Sequence, residues 1–146
     1  MTKNLIAAAA LALLATGVAQ ADTLAKIKQS GAVSMGVRES SGALSYTLGD
    51  GKFAGFHVEI CSRVLADVQK QLGLAKLDVK FVPVTSQNRI PLVQNGTVDI
   101  ECGSTTNTAA RQRDVAFAVT TYVEEVRIAT KVSSGITNIA QLAGKN

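Results

Sequence analysis

Between Thr85 and Arg111 the chain reads TSQNRIPLVQNGTVDIECGSTTNTAAR, with two arginines, a run of hydroxyl residues, two glycines and few other charges. This is the donor set that holds an anion. Guanidinium forks, Ser and Thr hydroxyls, and backbone N–H groups at tight turns and helix starts all bind carboxylates or phosphates. A third arginine, Arg38, stands upstream, and each of the three has a hydroxyl residue nearby: Ser40 or Ser41 for Arg38, Ser86 for Arg89, and Thr106 for Arg111. Three such pairs imply an anion with more than one charged group. Arginine rather than lysine suits planar carboxylates, because its fixed donors pair both oxygens at once.

The elements that must position these residues can be read from the local pattern. Asp22–Gln29 reads as a short helix ended by Gly31, and Ala32–Val37 as a first buried strand, with Arg38 directly after it. Asp50-Gly51-Lys52 lies in a turn-rich stretch and signals a hairpin. Residues 55–72 carry Phe56, Val58, Ile60, Val64, Leu65, Val68 and Leu72 at close to helical spacing. Leu77–Val84 reads as a second strand, and Pro83 disfavours its continuation in a central ladder. A loop from Ser86 turns into a short helix reaching Gln94, with Pro91 tolerated near its first turn and Asn95-Gly96 as its stop. Val98–Glu101 is expected as a third strand, and residues 103–108 as a cap-rich loop opening a short helix through Ala109–Arg113. Val115–Val119 and Glu125–Val132 are expected to be extended, and Asn138–Leu142 to start another helix. Alternating strands and helices predict an α/β domain with a parallel sheet. Ligands of such sheets sit outside the carboxyl ends of the strands, where Arg38, Thr85–Arg89 and Cys102–Thr106 would converge.

The first 21 residues combine Lys3, an apolar core from Leu5 to Ala15, and Ala19 and Ala21 before Asp22. They read as a secretory signal peptide cleaved after Ala21, since the apolar run is too short to span a bilayer. No cysteine stands at the cleavage site, so nothing suggests a lipoprotein. Losing Lys3 takes the formal charge from +4 to +3. That mild balance, with scattered basic residues and 4% aromatics, does not indicate a nucleic-acid binder. The two cysteines, Cys61 and Cys102, favour a disulfide over two separately buried thiols in an exported chain. One histidine, His57, and the lack of any CxxC spacing leave no metal site, and no cofactor is expected.

GVRESS at Gly36–Ser41, GFHVEI at Gly55–Ile60, TSQNRIPLVQNGTVDIECGSTTN at Thr85–Asn107 and the Arg111 that follows resemble the periplasmic solute-binding proteins of polar amino-acid ABC transporters. Within them, the resemblance is to the glutamate/aspartate receptors. It implies the two-lobe, type II periplasmic-binding-protein fold. Residues 22–120 would form the first lobe, and residues 121–146 the crossover and the start of a second. The chain then reads as a fragment carrying one jaw of a clamp that closes by hinge motion. The resemblance also implies a ligand set: Arg111 and Thr106 on the α-carboxylate, Ser104 near the ammonium, and Arg38, Ser86 and Arg89 on the side-chain carboxylate. The implied ligands are L-glutamate and L-aspartate, the implied partner is a membrane permease, and the expected state is a periplasmic monomer.

Family members usually carry an acidic residue where this chain has His57, which reads as a helix-surface residue rather than a ligand. Other readings are a sensory or cell-wall-enzyme module of the same fold, or a periplasmic dehydratase of a cyclic dicarboxylate. An enzyme needs an acid or base in the cleft, and only Glu39 and Glu101 lie near the rim. Glu39 reads as a solvated loop charge and Glu101 as a structural hydrogen-bond partner, so no catalytic role is expected.

Overall fold

A computed structural model describes residues 22–145. The signal segment 1–21 therefore lies outside the described residues. Helix α1 (Thr23–Ser30) begins where the Asp22 carboxylate accepts the N–H groups of Leu24 and Ala25, and ends at Gly31 in the left-handed conformation, φ 64°. Both ends are thus satisfied by local chemistry. It leads into β1 (Ala32–Val37), the central strand of a parallel three-stranded sheet.

After β1 come the hairpin strands β2 (Tyr46–Gly49) and β3 (Lys52–Ala54), joined at Asp50-Gly51, both with positive φ. Helix α2 (Phe56–Gln71) follows, then β4 (Asp78–Pro83), helix α3 (Arg89–Gln94) and β5 (Ile100–Glu101). The sheet order is β4-β1-β5, with Ala32 opposite Asp78 and Met35 opposite Ile100. Pro83 accordingly closes a strand with a neighbour on one side among the described residues. The carboxyl ends of all three strands open on one rim.

Alternation along β1 sends Val33, Met35 and Val37 into the core, where they meet Ile27 of α1 and Val58, Cys61 and Leu65 of α2. Those three α2 residues recur at i, i+3 and i+7, the stripe of an amphipathic helix. On the other face of β1, a Cβ at Gly36 would stand 3.0 Å from Val98 Cγ1 and 3.4 Å from Val84 Cγ1, so glycine lets the neighbouring side chains close over the strand. Cys61 and Cys102 are joined in a disulfide that fastens α2 to the residue after β5.

Several expectations are corrected. The third strand is two residues long rather than four, and the turn after the Gly103 loop is a 3-10 turn at Arg111–Arg113 instead of an α-helix. Ile139–Leu142 is likewise 3-10, capped by Asn138 and Gln141. Val115–Val119 and Glu125–Val132, expected to be extended, join no ladder, and Val132 opens a 3-10 turn. Their β-branched residues favour extended backbone, but a ladder needs a neighbouring strand and no described segment offers one; Val126 is 95% and Val132 100% exposed.

Candidate functional site

Arg38 leaves β1 with its backbone held by Ser45. Arg38 N donates to Ser45 Oγ at 2.9 Å, and Ser45 Oγ donates back to Arg38 O at 3.3 Å from a fully buried position. The guanidinium then reaches sideways across the strand ends. Nη1 donates to Val84 O at 2.7 Å and Nε to Ser41 Oγ at 3.1 Å, while Ser41 Oγ lies 3.0 Å from Ser104 Oγ. Arg38 thus links the loops after all three strands. Beside it a cleft of about 280 Å³ is lined by Arg38, Ser40, Thr85 and Ser86, among others.

The Ser86 loop is closed by reciprocal bonds. Thr85 N donates to Asn88 Oδ1 at 2.7 Å, and Asn88 N donates to Thr85 Oγ1 at 3.2 Å. This Thr-x-x-Asn closure leaves the Ser86 side chain exposed and starts α3 at Arg89. Arg89 is turned inward and is only 6% exposed, with Nε and Nη1 buried and unpartnered among the described residues. Burial holds its guanidinium below the ordinary arginine value. Glu101 acts in the opposite sense, and Arg111 and Arg38 add repulsion. All three arginines and Glu101 therefore share one electrostatic neighbourhood.

Arg111 Nη1 donates to the Thr106 carbonyl at 2.9 Å. The sequence places Arg111 and Thr106 together on one carboxylate; here they meet through the Thr106 backbone carbonyl, and the Thr106 side chain is exposed. Glu101 also departs from expectation. Its Oε1 is buried with no hydrogen-bond partner among the described residues. Gly103 is why Glu101 and Arg38 can lie so close, since a Cβ there would overlap Glu101 Oε1 and Arg38 Cγ. Thr105 Oγ1 is a further buried atom without a partner among the described residues. Glu39 is exposed, as a solvated loop charge would be.

His57 is corrected as well. It is half-buried rather than on the helix surface, with Nδ1 bonded to Gly103 O and Nε2 2.9 Å from Thr121 Oγ1. Neither Ser45 nor this His57 pairing was visible in the sequence, where a serine in a turn-rich stretch and a histidine on a helix carry no distinguishing local signal. Among the described residues no group of three or more His, Cys, Asp and Glu side chains is placed to hold a metal ion. What the rim can do chemically is bind: it gathers cationic donors and hydroxyls around buried atoms that still lack partners.

Residues 33–141 match the bacterial extracellular solute-binding proteins, family 3. The chain belongs to this family. It is 44% identical over 148 aligned positions to a glutamate/aspartate import solute-binding protein of Escherichia coli, covering 95% of this chain and 49% of that one. It is 43% identical to an L-glutamate/L-aspartate-binding protein of Pseudomonas aeruginosa, over 98% of this chain and 49% of that one. Among solved structures, a solute receptor for L-cysteine of Neisseria gonorrhoeae superposes with a TM-score of 0.56 at 32% identity, over 65% of this chain and 37% of that one. This family 3 chain spans about half the length of the curated relatives it matches. Its described residues are a partial α/β unit of the type II periplasmic-binding-protein fold, and its relatives are solute-binding proteins.

Proposed function

We propose that the chain contributes the first jaw of an extracytoplasmic receptor for acidic L-amino acids that delivers glutamate and aspartate to an ABC-transporter permease. The observation that carries this reading is Arg89, buried at the sheet rim with two guanidinium nitrogens unpartnered and with Arg38 and Arg111 close enough to be felt electrostatically. A carboxylate supplies both the missing acceptors and the countercharge. In this reading Arg38, Ser86 and Arg89 take the side-chain carboxylate, Arg111 and Thr106 the α-carboxylate, and Ser104 an oxygen contact near the ammonium. Neutral and basic ligands are rejected because they leave a desolvated guanidinium unpaired, at a cost of about 1–3 kcal/mol or more.

The relatives' glutamate and aspartate specificity supports the same ligand class. Residues 22–120 form the first lobe and 121–146 the crossover and the opening of the second. The protein is exported to the periplasm after cleavage at Ala21, acts as a monomer, and binds without catalysis.

Calorimetry on the protein continued through its own reading frame tests this. Glutamate or aspartate should bind at about micromolar affinity or better; equal affinity for glutamine overturns the acidic-side-chain assignment. Arg38→Ala or Arg89→Ala should remove glutamate binding while sparing any weak glutamine binding, and Arg111→Ala should abolish both. The reverse pattern means that the two carboxylate subsites are exchanged.

A further inference from the structure

His57 and Cys61 stand four residues apart on α2 and so share one face of the helix. They grip consecutive residues of the rim loop. Cys61 holds Cys102 covalently, and His57 Nδ1 meets the carbonyl of Gly103. The next residue is Ser104, bonded through Ser41 to Arg38. A carbonyl can only accept, so Nδ1 carries the proton. The other ring nitrogen, Nε2, lies 2.9 Å from the Thr121 hydroxyl. Thr121 belongs to the segment that leaves the first lobe.

His57 is also held at its backbone and against its ring. His57 N donates to Leu44 O at 3.0 Å, and the Phe56 ring packs against the imidazole at a centroid distance of 5.3 Å and against Tyr122 at 6.4 Å. A single imidazole, held on several sides, therefore spans the anion loop and the departing segment.

We propose that His57 is a positioning residue of the anion site. It fixes the Gly103–Thr106 loop through the Gly103 carbonyl and ties that loop to the connecting segment at Thr121. The inference rests on the binding reading above for its effect on affinity, but the tie itself is independent of any ligand.

The test has two arms, both on the protein continued through its own reading frame. In the first, the protein is labelled with ¹⁵N-histidine and the His57 ring signals are assigned by their loss in His57→Ala. The expected result is an Nδ1–H tautomer, with Thr121→Val shifting Nε2 and leaving Nδ1 in place. A mixed tautomer with no response to Thr121→Val overturns the tie.

In the second arm, glutamate affinity is measured by calorimetry. His57→Ala should weaken it about fivefold, the scale of one hydrogen bond lost from the loop. His57→Asn, whose amide can still reach Gly103 O, should recover it to within about twofold. Unchanged affinity in His57→Ala, or no recovery in a folded His57→Asn, overturns the positioning role. If the unmodified protein binds no acidic amino acid, the ligand assignment fails and the ring signals alone decide the tie.

Discussion

The two ends of the three-stranded sheet treat their polar groups in opposite ways. Before β5, Asp99 accepts Lys26 Nζ at 2.8 Å with one oxygen and Ser34 N at 2.8 Å with the other, and Lys26 also donates to Gly96 O at 2.9 Å. Asp99 is nearly enclosed, its side chain 4% exposed, yet both its oxygens are used. At the carboxyl ends, Arg89, Glu101 and Thr105 all keep buried polar atoms without partners among the described residues. Buried polar groups are ordinarily paired because desolvation without compensation is costly. An end that pairs them serves the fold. An end that leaves them open reserves them for something outside the chain, and the fold must be held there by other means.

The largest expected effect tests those other means. Replacing Cys61 and Cys102 by alanine should lower stability by about 3–4 kcal/mol, read by urea denaturation, because the bridge closes a long loop in the unfolded chain. A loss below about 1 kcal/mol would mean that the rim is self-supporting and the contrast is weaker than drawn. Next, Asp99→Ala removes an acceptor from Ser34 N–H and from the Lys26 ammonium and should cost about 2–3 kcal/mol, with glutamate affinity unchanged within about twofold. A large loss of affinity would show that the two ends are not independent. The smallest effect has the opposite sign. Arg89→Met should raise stability by about 1–2 kcal/mol while eliminating glutamate binding, since it removes a buried charge whose Nε and Nη1 have no partner among the described residues. Destabilisation by Arg89→Met would place Arg89 with Asp99, among the groups that hold the fold.

The same contrast separates what could be read from the sequence from what could not. β1 is bounded by Gly31 and Arg38 and apolar but for Ser34, so its limits follow from local pattern. Of the apolar residues read at helical spacing in α2, Val58 and Leu65 are buried while Phe56 and Val64 are exposed, and Asp50-Gly51 sets the hairpin. From parallel order alone the loops after β1, β4 and β5 must share a rim, which brings Arg38, Arg89 and Arg111 near one another. Nothing local says that Arg89 turns inward while Ser86 faces solvent, or that Arg111 meets the carbonyl of Thr106. Those outcomes depend on the Thr85–Asn88 closure and on the close approach that Gly103 permits between Glu101 and Arg38. Val115–Val119 and Glu125–Val132 join no sheet for a different reason. Extended propensity belongs to a residue, whereas a strand belongs to a pair, and the pairing partner is not encoded in the segment itself.

The strand order also governs when the site can come into being. β1 is the earliest strand in the chain, yet both its neighbours come later: Ala32 waits for Asp78, and Met35 waits for Ile100. As the polypeptide emerges, its first strand stays without either flank through the whole of the hairpin and α2. Contacts of such long sequence separation form slowly, because loop-closure entropy must be overcome before they contribute. Arg38 therefore reaches its place beside Val84 and Ser104 only after Cys102 has arrived. Anion capture should be among the last properties the nascent chain acquires, and until then the apolar face of β1 is a surface for a chaperone to shield.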